Sequence, residues 1–468
     1  MYMYISIFFF LQCQTMESLP DEILLHVFRQ LDDKSLIECE LVCSKWRSVI
    51  NEGRLFSKKC SRLRHNNPEL VPTFAFRKFD TLIKNNHKAA KEFYFKLKYL
   101  KSRWTKNHEP KIYNYYCVTG EVSSEWLEKH NYTGVYDMVW LPEKSLLILS
   151  VYDSIQVWNM ANNERINTFT GNILDTEKVK SNCFHACAQA NVLLTGTNNG
   201  VINAFDLFNC KPLGKSEDIR GIDMLCDIKS HGGKVLAIDW RGLIAEFKIN
   251  RTDTKIQFPM IRKFYPPWGE NVDDEIPHKY KLRFSERLIE FNEFLGFTNC
   301  TDMVIIFDIE KLVTARWILT KRAVLCVTLF EKDVYWGGGK GIVNCFSNFD
   351  TNSKSVETID IKLIKETFRT NYQDSITSIS MASSDKILIG DVNAEIHCLS
   401  LPLSKDSLRF TLESGHAYKS YIWALECDAS RIFSGDSDAC LVVHDYWKDS
   451  TDTENESECK KAKYHLGH

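Results

Sequence analysis

The sequence lacks the features that would place the chain in a membrane or outside the cell. Beyond its N-terminus, no apolar run approaches the roughly 20 residues that a transmembrane helix needs. The N-terminal run from Ile5 to Leu11 has no Lys or Arg before Arg29 and no Ala-x-Ala-like site after it, so two elements of a signal peptide are missing. We therefore expect residues 1–15 to be an unstructured extension or to lie upstream of a start at Met16, with no membrane partner.

The 16 cysteines include no C-x-x-C pair, which excludes a zinc ribbon and a thioredoxin motif. The nearest approach to a ligand cluster is Cys183, His185 and Cys187, whose alternation is typical of one face of a strand. Scattered cysteines of this kind behave as small buried hydrophobes in a reducing compartment. The sequence predicts no metal site and a cytoplasmic location, with the nucleus left open as a second compartment.

Catalytic signatures are also missing. No Ser, His and Asp set and no pair of carboxylates stands out from the background, and the segment WGGGKG (Trp336 to Gly341) lacks the spacing of a phosphate-binding loop. That segment runs into a strand, whereas a nucleotide site needs a helix N-terminus. The glycines therefore predict a hairpin turn, and we expect a chain that is not an enzyme and uses no cofactor.

What is present is an ordinary globular composition with charge placed unevenly. Hydrophobic residues make up 44% and charged residues 26%, which suits two or three soluble domains. The formal net charge is -2, yet residues 58–111 hold 15 Lys or Arg against 4 Asp or Glu. Nucleic-acid motifs are absent, and Phe93, Leu97, Leu100 and Trp104 have helical spacing. The pattern predicts an amphipathic helix with a solvated lysine face and no nucleic-acid partner.

Residues 19–50 predict three short helices. Pro20 suits a first helical turn, and the acidic residues after it complement the helix dipole. Asp32 or Asp33 is the expected cap of a second helix, and Trp46 lies on the apolar face of a third. About 40 residues are too few to bury all the large apolar groups of this segment. Part of its surface should therefore meet a partner.

This segment, LPDEILLHVFRQLDDKSLIECELVCSKWRSVI, resembles an F-box. The matching residues include Leu19, Pro20, Glu22, Ile23, Leu24, Phe28, Leu31, Leu36, Val42, Cys43, Trp46 and Arg47. The resemblance implies docking on the Skp adaptor of a cullin-RING ubiquitin ligase. It implies that Leu19, Pro20, Ile23, Leu24 and Phe28 supply the interface, with Leu31 and Leu36 in the same set. Val42, Cys43 and Trp46 would complete the interface or pack beneath it. The alternative is a helical mini-bundle in which these side chains pack only on each other.

Seven segments downstream can be superposed on one another. Each is an apolar run, a polar or Gly-bearing turn and an alternating run that ends in a bulky residue. The bulky positions are Trp158, Phe205, Phe247, Phe307, Phe346, Leu399 and His444, at spacings close to the 40 to 45 residues of WD repeats. Two antiparallel strands joined by a tight turn fit this pattern, and further apolar runs lie upstream.

Four strands repeated seven times resemble a WD-repeat β-propeller. The last repeat keeps Gly415-His416, Ser434-Gly435, Asp438 and Asp445, whereas the other repeats have lost most of the family signature. The expected fold is multidomain: a short all-α F-box and helical linker, then an all-β seven-bladed WD-repeat-like propeller. The predicted boundaries are 16–60 for the F-box, 61–110 for the basic linker, 111–447 for the propeller and 448–468 for a disordered tail.

Two segments of the propeller carry more specific predictions. The polar C-terminal tail leaves the seventh blade without an outer strand, so we expect residues 111–118 to pair beside Leu441 to Tyr446. Between Phe247 and Phe307, residues 255–261 are the expected outer strand of the third blade. The surplus after it, residues 263–284, carries Phe264, Tyr265 and Trp268, which we take as a candidate substrate-facing loop.

An F-box followed by a propeller resembles the F-box/WD-repeat family of substrate receptors. The resemblance implies a non-catalytic ligase subunit that binds the Skp adaptor and, through it, a cullin and a RING protein, while its propeller holds an unidentified protein substrate. A non-ligase scaffold is one alternative and predicts no ubiquitylated partner. A secreted propeller hydrolase is another and predicts glycans on Asn131, Asn250, Asn299 or Asn455.

Overall fold

The computed structural model divides the chain into two compact units, residues 1–102 and 103–468, which are described separately. The structure describes residues 19–66, 87–103, 110–117, 134–151, 154–170, 184–187, 191–197, 200–217, 225–231, 233–239, 243–252, 255–264, 283–284, 294–298, 303–308, 313–319, 324–330, 333–338, 341–346, 358–360, 368–369, 375–383, 385–401, 403, 407–413, 421–428 and 430–446. Within these ranges, no helix is both long enough and apolar enough to span a bilayer.

The first unit is helical. Its helices are α1 (Asp21–Gln30), α2 (Asp33–Val42), α3 (Ser44–Glu52), α4 (Leu55–Asn66) and α5 (His87–Arg103). Asp32 is the cap of α2, since its Oδ1 accepts the Ser35 N–H at 2.7 Å. Cys43 plays the same part for α3, where its sulfur accepts the Trp46 N–H at 3.5 Å. The three predicted N-terminal helices are confirmed.

Large apolar side chains fill the interior of this unit. Leu24, Phe28, Leu36 and Trp46 are buried, and Phe56 of α4 joins them. The rings of Phe28 and Trp46 meet edge to face with centroids 5.3 Å apart, a geometry that aromatic pairs prefer. Burial of each such side chain contributes about 1.5 to 3 kcal/mol.

The basic segment contributes α5, as its spacing predicts. Leu97 and Leu100 are fully buried and Phe93 is half-buried, which confirms the amphipathic helix, while Trp104 lies outside the described residues. Ala90 and Tyr94 complete the buried side.

The second unit is mainly β. Its strands are β1 (Lys111–Tyr116), β2 (Val135–Leu141), β3 (Leu146–Val151), β4 (Ser154–Asn159), β5 (Glu164–Thr170), β6 (Phe184–Cys187), β7 (Val192–Gly196), β8 (Ile202–Asp206), β9 (Pro212–Lys215), β10 (Leu225–His231), β11 (Lys234–Asp239), β12 (Ile244–Lys248), β13 (Asn250–Arg251), β14 (Ile256–Gln257), β15 (Met260–Phe264), β16 (Arg283–Phe284), β17 (Phe294–Thr298), β18 (Met303–Asp308), β19 (Val313–Leu319), β20 (Val324–Phe330), β21 (Asp333–Gly338), β22 (Ile342–Phe346), β23 (Thr358–Asp360), β24 (Phe368–Arg369), β25 (Ile376–Ser383), β26 (Lys386–Asp391), β27 (Glu395–Ser400), β28 (Leu408–Glu413), β29 (Ile422–Cys427), β30 (Arg431–Asp436) and β31 (Cys440–Asp445). The WGGGKG segment joins β21 to β22, so its assignment to a hairpin is confirmed.

The strands form a β-propeller arrangement with six four-stranded antiparallel blades. Their strand orders are β2-β3-β4-β5, β6-β7-β8-β9, β10-β11-β12-β15, β20-β21-β22-β24, β25-β26-β27-β28 and β29-β30-β31-β1. The expectation of seven such blades is corrected by the remaining large sheet, which has five strands in the order β16-β17-β18-β19-β23. Its fifth strand, β23, comes from the connection between β22 and β24 of the next blade and pairs with β19 in parallel.

The register that the sequence repeats imply is reproduced in the structure. Every bulky position lies on the third strand of its sheet, opposite an aliphatic residue of the second strand. The pairs are Trp158 with Leu147, Phe205 with Leu193, Phe247 with Val235, Phe307 with Leu295, Phe346 with Val334, Leu399 with Ile387 and His444 with Ile432. The common pairing shows that the seven segments are structurally equivalent hairpins.

The core of this unit lies between neighbouring sheets. One apolar cluster joins the β29-β30-β31-β1 blade to the β2-β5 blade, and a second joins the β2-β5 blade to the β6-β9 blade. Further clusters link the β6-β9 blade to β10-β12 and the β20-β22 hairpins to the β25-β28 blade. The second strand Leu146–Val151 is buried along its whole length, on both faces, so it reads as a nearly continuous apolar run.

The predicted ring closure is confirmed. β1 pairs antiparallel with β31, from Lys111 opposite Asp445 to Tyr116 opposite Cys440. The first and last parts of this unit therefore share one blade, which we call the closing blade. Side-chain contacts reinforce the joint: Gln156 of β4 donates to the Cys117 carbonyl, and the Trp158 and Tyr115 rings lie 5.2 Å apart.

The outer strand of the third blade was predicted too early in the sequence. Of residues 255–261, only Met260 and Ile261 belong to the outer strand, which is β15 (Met260–Phe264), whereas Ile256–Gln257 pairs with Asn250–Arg251 in a two-stranded hairpin. Phe264 therefore pairs opposite Ile244 inside the sheet, with the Arg262 guanidinium over its ring at 5.6 Å. Tyr265 and Trp268 lie outside the described residues.

Candidate functional site

The residues that the F-box resemblance selects separate into interior and surface groups. Leu24, Phe28, Leu36 and Trp46 are buried, so they stabilise the helical unit itself. Leu19, Leu31 and Cys43 are half-buried, and Pro20 is exposed. Leu24 and Phe28 are interior side chains in the helical unit, and their assignment to an adaptor interface stays a prediction.

Three large apolar side chains of the same unit face solvent. Ile23 is 49% exposed, Leu41 73% and Val42 42%. The first turn of α1 lies beside the start of α3, because the Lys45 ammonium donates to the Leu19 carbonyl at 3.0 Å. α2 ends at Val42, directly before α3 begins at Ser44. We call these three exposed apolar side chains the α1–α2 surface.

Leu41 was missed by the sequence reasoning. Its neighbour Val42 belongs to the recognised pattern, whereas Leu41 does not. The sequence signal for its exposure is its place in the last turn of α2. Cys43 is the C-cap of this helix, so no further helical turn follows to cover Leu41.

Two acidic side chains, the buried Glu40 and the half-buried Asp33, bind α5 to the other helices. Glu40 of α2 accepts from His87 Nε2 at 2.8 Å and from Lys91. Asp33, at the start of α2, accepts from Lys59 at 2.9 Å, from the Tyr94 hydroxyl at 2.9 Å and from Lys98. The expected solvated lysine face is wrong for Lys91, which is half-buried against Glu40, whereas Lys98 is half-exposed and still binds Asp33. They are partners of acids in α2.

The Asp33 site is held ionised by its donors. Burial alone would raise the pKa of this carboxyl, but the bonds from Lys98, Lys59 and Tyr94 outweigh burial and lower it. Burial and the same bond raise the pKa of the Tyr94 phenol. The Asp33 carboxylate is therefore an anionic acceptor with two charged donors and one neutral donor. Its negative charge strengthens each of these hydrogen bonds.

In the propeller, one end of the sheets carries irregular inner strands. β2, β10, β20, β25 and β29 each shift register near their first residue, next to the turn that joins the second and third strands. Tyr136 and Trp423 lie at the shifts in β2 and β29, and their rings stack with centroids 5.1 Å apart. Leu325, at the equivalent place in β20, is exposed, and so is Tyr421, which directly precedes β29. We call this end the shifted-strand face.

The surplus segment of the third blade leaves from this same face. Phe264 at the end of β15 pairs with Ile244, which in turn pairs with Ile238 beside the Asp239 turn. The chain after Phe264 therefore begins next to an inner-strand shift. The predicted substrate-facing residues Tyr265 and Trp268 follow directly in the sequence.

An acidic turn residue recurs on the shifted-strand face. Asp239, Asp391 and Asp436 end the second strands of their blades, and each accepts the main-chain N–H of the residue four positions on, at 2.8 to 3.0 Å. After Asp391 and Asp436 the turn places Ala394 and Ala439 at positive φ, 62° and 59°. The carboxylate holds these strained turns together by replacing missing main-chain partners.

The β26–β27 turn adds two side chains of types that can ligate a metal, Glu395 and His397, and the sequence reasoning missed both. Asp391, Glu395 and His397 bring one ligand atom each within 4.8 Å of one another. Burial opposes ionisation of Asp391, but bonds from His397 and from the Glu395 and Asn393 N–H groups lower the pKa of this carboxyl. The detectable signal was DVNAEIH, in which the hairpin turn folds the first residue back onto the last.

Of the ten cysteines that the structure describes with side chains, five are buried and five are half-buried, so the expectation of buried cysteines is confirmed for half of them. Those described with side chains are free thiols. Burial raises the pKa of Cys60, Cys117 and Cys440 to about 12, so these groups are protonated and unreactive at neutral pH. His185 and Cys187 lie on β6, as their alternation predicts.

Comparison with known proteins bears on the first unit. Residues 16–62 match the family model described as F-box-like. No curated protein matches the chain. The matched range covers α1 to α3 and most of α4, and it contains the α1–α2 surface.

Proposed function

We propose that the chain is the substrate-recognition subunit of a Skp-cullin-F-box ubiquitin ligase. The F-box-like match supports this role, since F-box domains generally bind Skp adaptors. The β-propeller after it fits a module that holds a target protein, and its Asp-closed hairpins support a WD-type origin. We place this role in the cytoplasm or nucleus, with the chain contributing no catalytic group of its own.

The observation that carries the proposal is the α1–α2 surface. Exposed large apolar groups such as Ile23 and Leu41 are costly in water, and their burial in a protein interface contributes about 25 cal/mol per Å². The helical unit is already packed around Phe28 and Trp46, so it does not need these side chains for its own core. Burial of these side chains by a partner would explain why they are apolar at an exposed place.

The mechanism is proximity. The adaptor fixes the helical unit on the ligase, and the propeller holds a target so that its lysines meet the charged ubiquitin-conjugating enzyme at high effective concentration. Bonds are made and broken by other subunits. A non-ligase scaffold would bind the same adaptor but leave its propeller partner unmodified, so ubiquitylation of the captured partner separates the two functions.

The adaptor test uses surface variants. Ile23→Asp combined with Leu41→Asp should abolish co-purification with the Skp adaptor, because desolvated apolar anchors dominate interface energy. Ile166→Asp, on the exposed face of β5, is the matched control and should keep the adaptor. Leu24→Asp is unsuitable, since Leu24 is interior and its loss unfolds the unit. Full adaptor recovery with the double variant would refute the proposed docking surface.

The target test uses the segment that leaves the shifted-strand face. Replacing residues 265–282 with a short Gly/Ser linker keeps Phe264 in β15 and Arg283 in β16, so the sheets retain their pairing. We expect the adaptor to stay bound while the protein captured by the propeller is lost. Unchanged recovery of the same partners would show that the target binds elsewhere.

A further inference from the structure

The β26–β27 hairpin carries two side chains that its structural equivalents do without. Asp239, Asp391 and Asp436 close the same turn with the same main-chain bonds. The positions of Glu395 and His397 are occupied in the other two hairpins by Leu243 and Cys440, and by Ala245 and Val442, respectively. The fold therefore needs the aspartate alone, and the glutamate and histidine serve something other than the turn.

The contacts of His397 with the two acids are longer than usual charge-assisted hydrogen bonds and are close to the ligand–ligand distances of a metal site. His397 Nε2 lies 3.3 Å from Asp391 Oδ2 and 3.7 Å from Glu395 Oε2. A charge-assisted N–H···O bond to a carboxylate is usually about 2.7 to 2.9 Å long. Ligands bonded to a tetrahedral ion at about 2.0 to 2.1 Å stand roughly 3.3 Å apart. The two separations from His397 lie near that value, and the three ligand atoms all lie within 4.8 Å of one another.

Second contacts orient two of the three ligand atoms. His397 Nδ1 is 3.0 Å from the Thr411 hydroxyl on β28, and when Nδ1–H donates there the lone pair is on Nε2, facing the carboxylates. Asp391 Oδ1 accepts the N–H groups of Asn393 and Glu395, which leaves Oδ2 for a cation. Metal-bound histidines are commonly fixed by such an outer hydrogen bond.

Burial and charge indicate the kind of ion. Asp391 and His397 are buried, while the Glu395 side chain is 27% exposed, so one side of the cluster opens to solvent. Two carboxylates and a neutral imidazole carry a charge of about -2, which a divalent cation neutralises. Ca²⁺ and Mg²⁺ favour six or more oxygen ligands, whereas Zn²⁺ accepts three mixed nitrogen and oxygen ligands with water in the fourth position.

We propose that Asp391, Glu395 and His397 form a Zn²⁺ site at the β26–β27 turn. The ion would join the end of β26 to β27 and, through Thr411, to β28 within one blade. This site is independent of adaptor binding, because its residues belong to the second unit and the α1–α2 surface belongs to the first.

The test compares Zn²⁺ binding to the full chain and to Glu395→Gln. After chelator treatment and removal of the chelator, isothermal titration with Zn²⁺ should show one tight site that the variant weakens at least tenfold. Glu395 is partly exposed and Gln has the same shape, so the variant keeps its fold. Glu164→Gln, an exposed carboxylate on β5, should bind Zn²⁺ like the unmodified chain.

Cobalt spectroscopy identifies the ligands. Co²⁺ at this site should give visible d–d bands without thiolate charge transfer, because no sulfur belongs to the set, and Glu395→Gln should lose those bands. Zn²⁺ should raise the melting temperature of the propeller in the unmodified chain and not in the variant. Equal Zn²⁺ affinity in both proteins, or thiolate bands in place of the expected spectrum, would overturn the site and leave an ion pair of His397 with its two acids.

Discussion

Arg431 of the closing blade donates a hydrogen bond to the main-chain oxygen of Met160 in the neighbouring blade, across 2.5 Å. The same guanidinium donates to Asp445 Oδ2 at 3.1 Å, and both side chains are almost fully buried. One arginine thus neutralises a buried acid on its own sheet and satisfies a carbonyl on the next. The contact joins the two blades at which the ring closes.

Arg431→Met should destabilise the propeller by about 3 to 5 kcal/mol, since it leaves the Asp445 carboxylate buried without its cation. Denaturant unfolding followed by tryptophan fluorescence measures the change. Adding Asp445→Leu to this variant should recover much of the loss, because the unpaired charge is then gone. Arg409→Met, on the exposed side of β28, should stay within about 0.5 kcal/mol of the unmodified chain, and an equal loss in both single variants would contradict this explanation.

Deleting residues 111–117 should lower the melting temperature of the propeller, because β31 then presents an unpaired edge and Leu441 and Val443 lose cover. Residues 451–468 are mostly polar and charged, so deleting them should leave the melting temperature unchanged. Differential scanning calorimetry of the two truncations makes the comparison. Identical transitions would mean that β1 is dispensable.

Trp46→Ala should unfold the helical unit while the propeller stays folded. The indole is 2% exposed and packs against Phe28, so truncation leaves a cavity at a cost of about 3 to 5 kcal/mol. Loss of the helical circular dichroism signal, with the β transition retained, is the expected result. The control is Val42→Ala, which changes an exposed residue of the F-box-like pattern and should keep both signals. A folded helical unit in the Trp46→Ala variant would contradict this account of the packing.

Asp33 predicts an acid-sensitive helical unit. Its folded pKa is below the ordinary 3.8, so its bonds stabilise the unit fully above that pH and are lost as the pH falls through the lower, folded value. Asp33→Asn should cost roughly 1.5 to 3 kcal/mol at neutral pH, the range for hydrogen bonds to charged groups. Helix melting curves should differ between the two proteins at pH 7, and the difference should shrink as the pH is lowered below 3.8; a constant difference would exclude this role.

Local pattern and repeat spacing predicted most of the fold. The hairpin register survives even where the family signature is lost, because alternation of apolar residues alone decides which face of a strand is buried. The place of β1 was predictable for a related reason: the polar tail after β31 leaves an edge that only one nearby strand-like segment can cover. Both predictions depend on patterns within a few residues.

Predictions failed where distant segments meet. Nothing near Thr358 indicates that β23 pairs with β19, because a three-residue strand has too little pattern to specify its partner. The acids that bind Lys91 and Lys98 lie about 50 to 65 residues earlier, so spacing showed a basic helix without its partners. Leu24 fitted both an interface and a core, and only the packed helices show that it is interior.

The pairing of β1 with β31 also orders events during synthesis. Lys111–Tyr116 leaves the ribosome some 320 residues before its partner strand, which at about 5 to 20 residues per second is a delay of roughly 16 to 65 s. Throughout that time β1 is an unpaired strand rich in tyrosine, the kind of edge that invites wrong pairing. Completion of the propeller is therefore a late step, and a nascent chain stalled before Cys440 presents a sticky end to the chaperones of the cell.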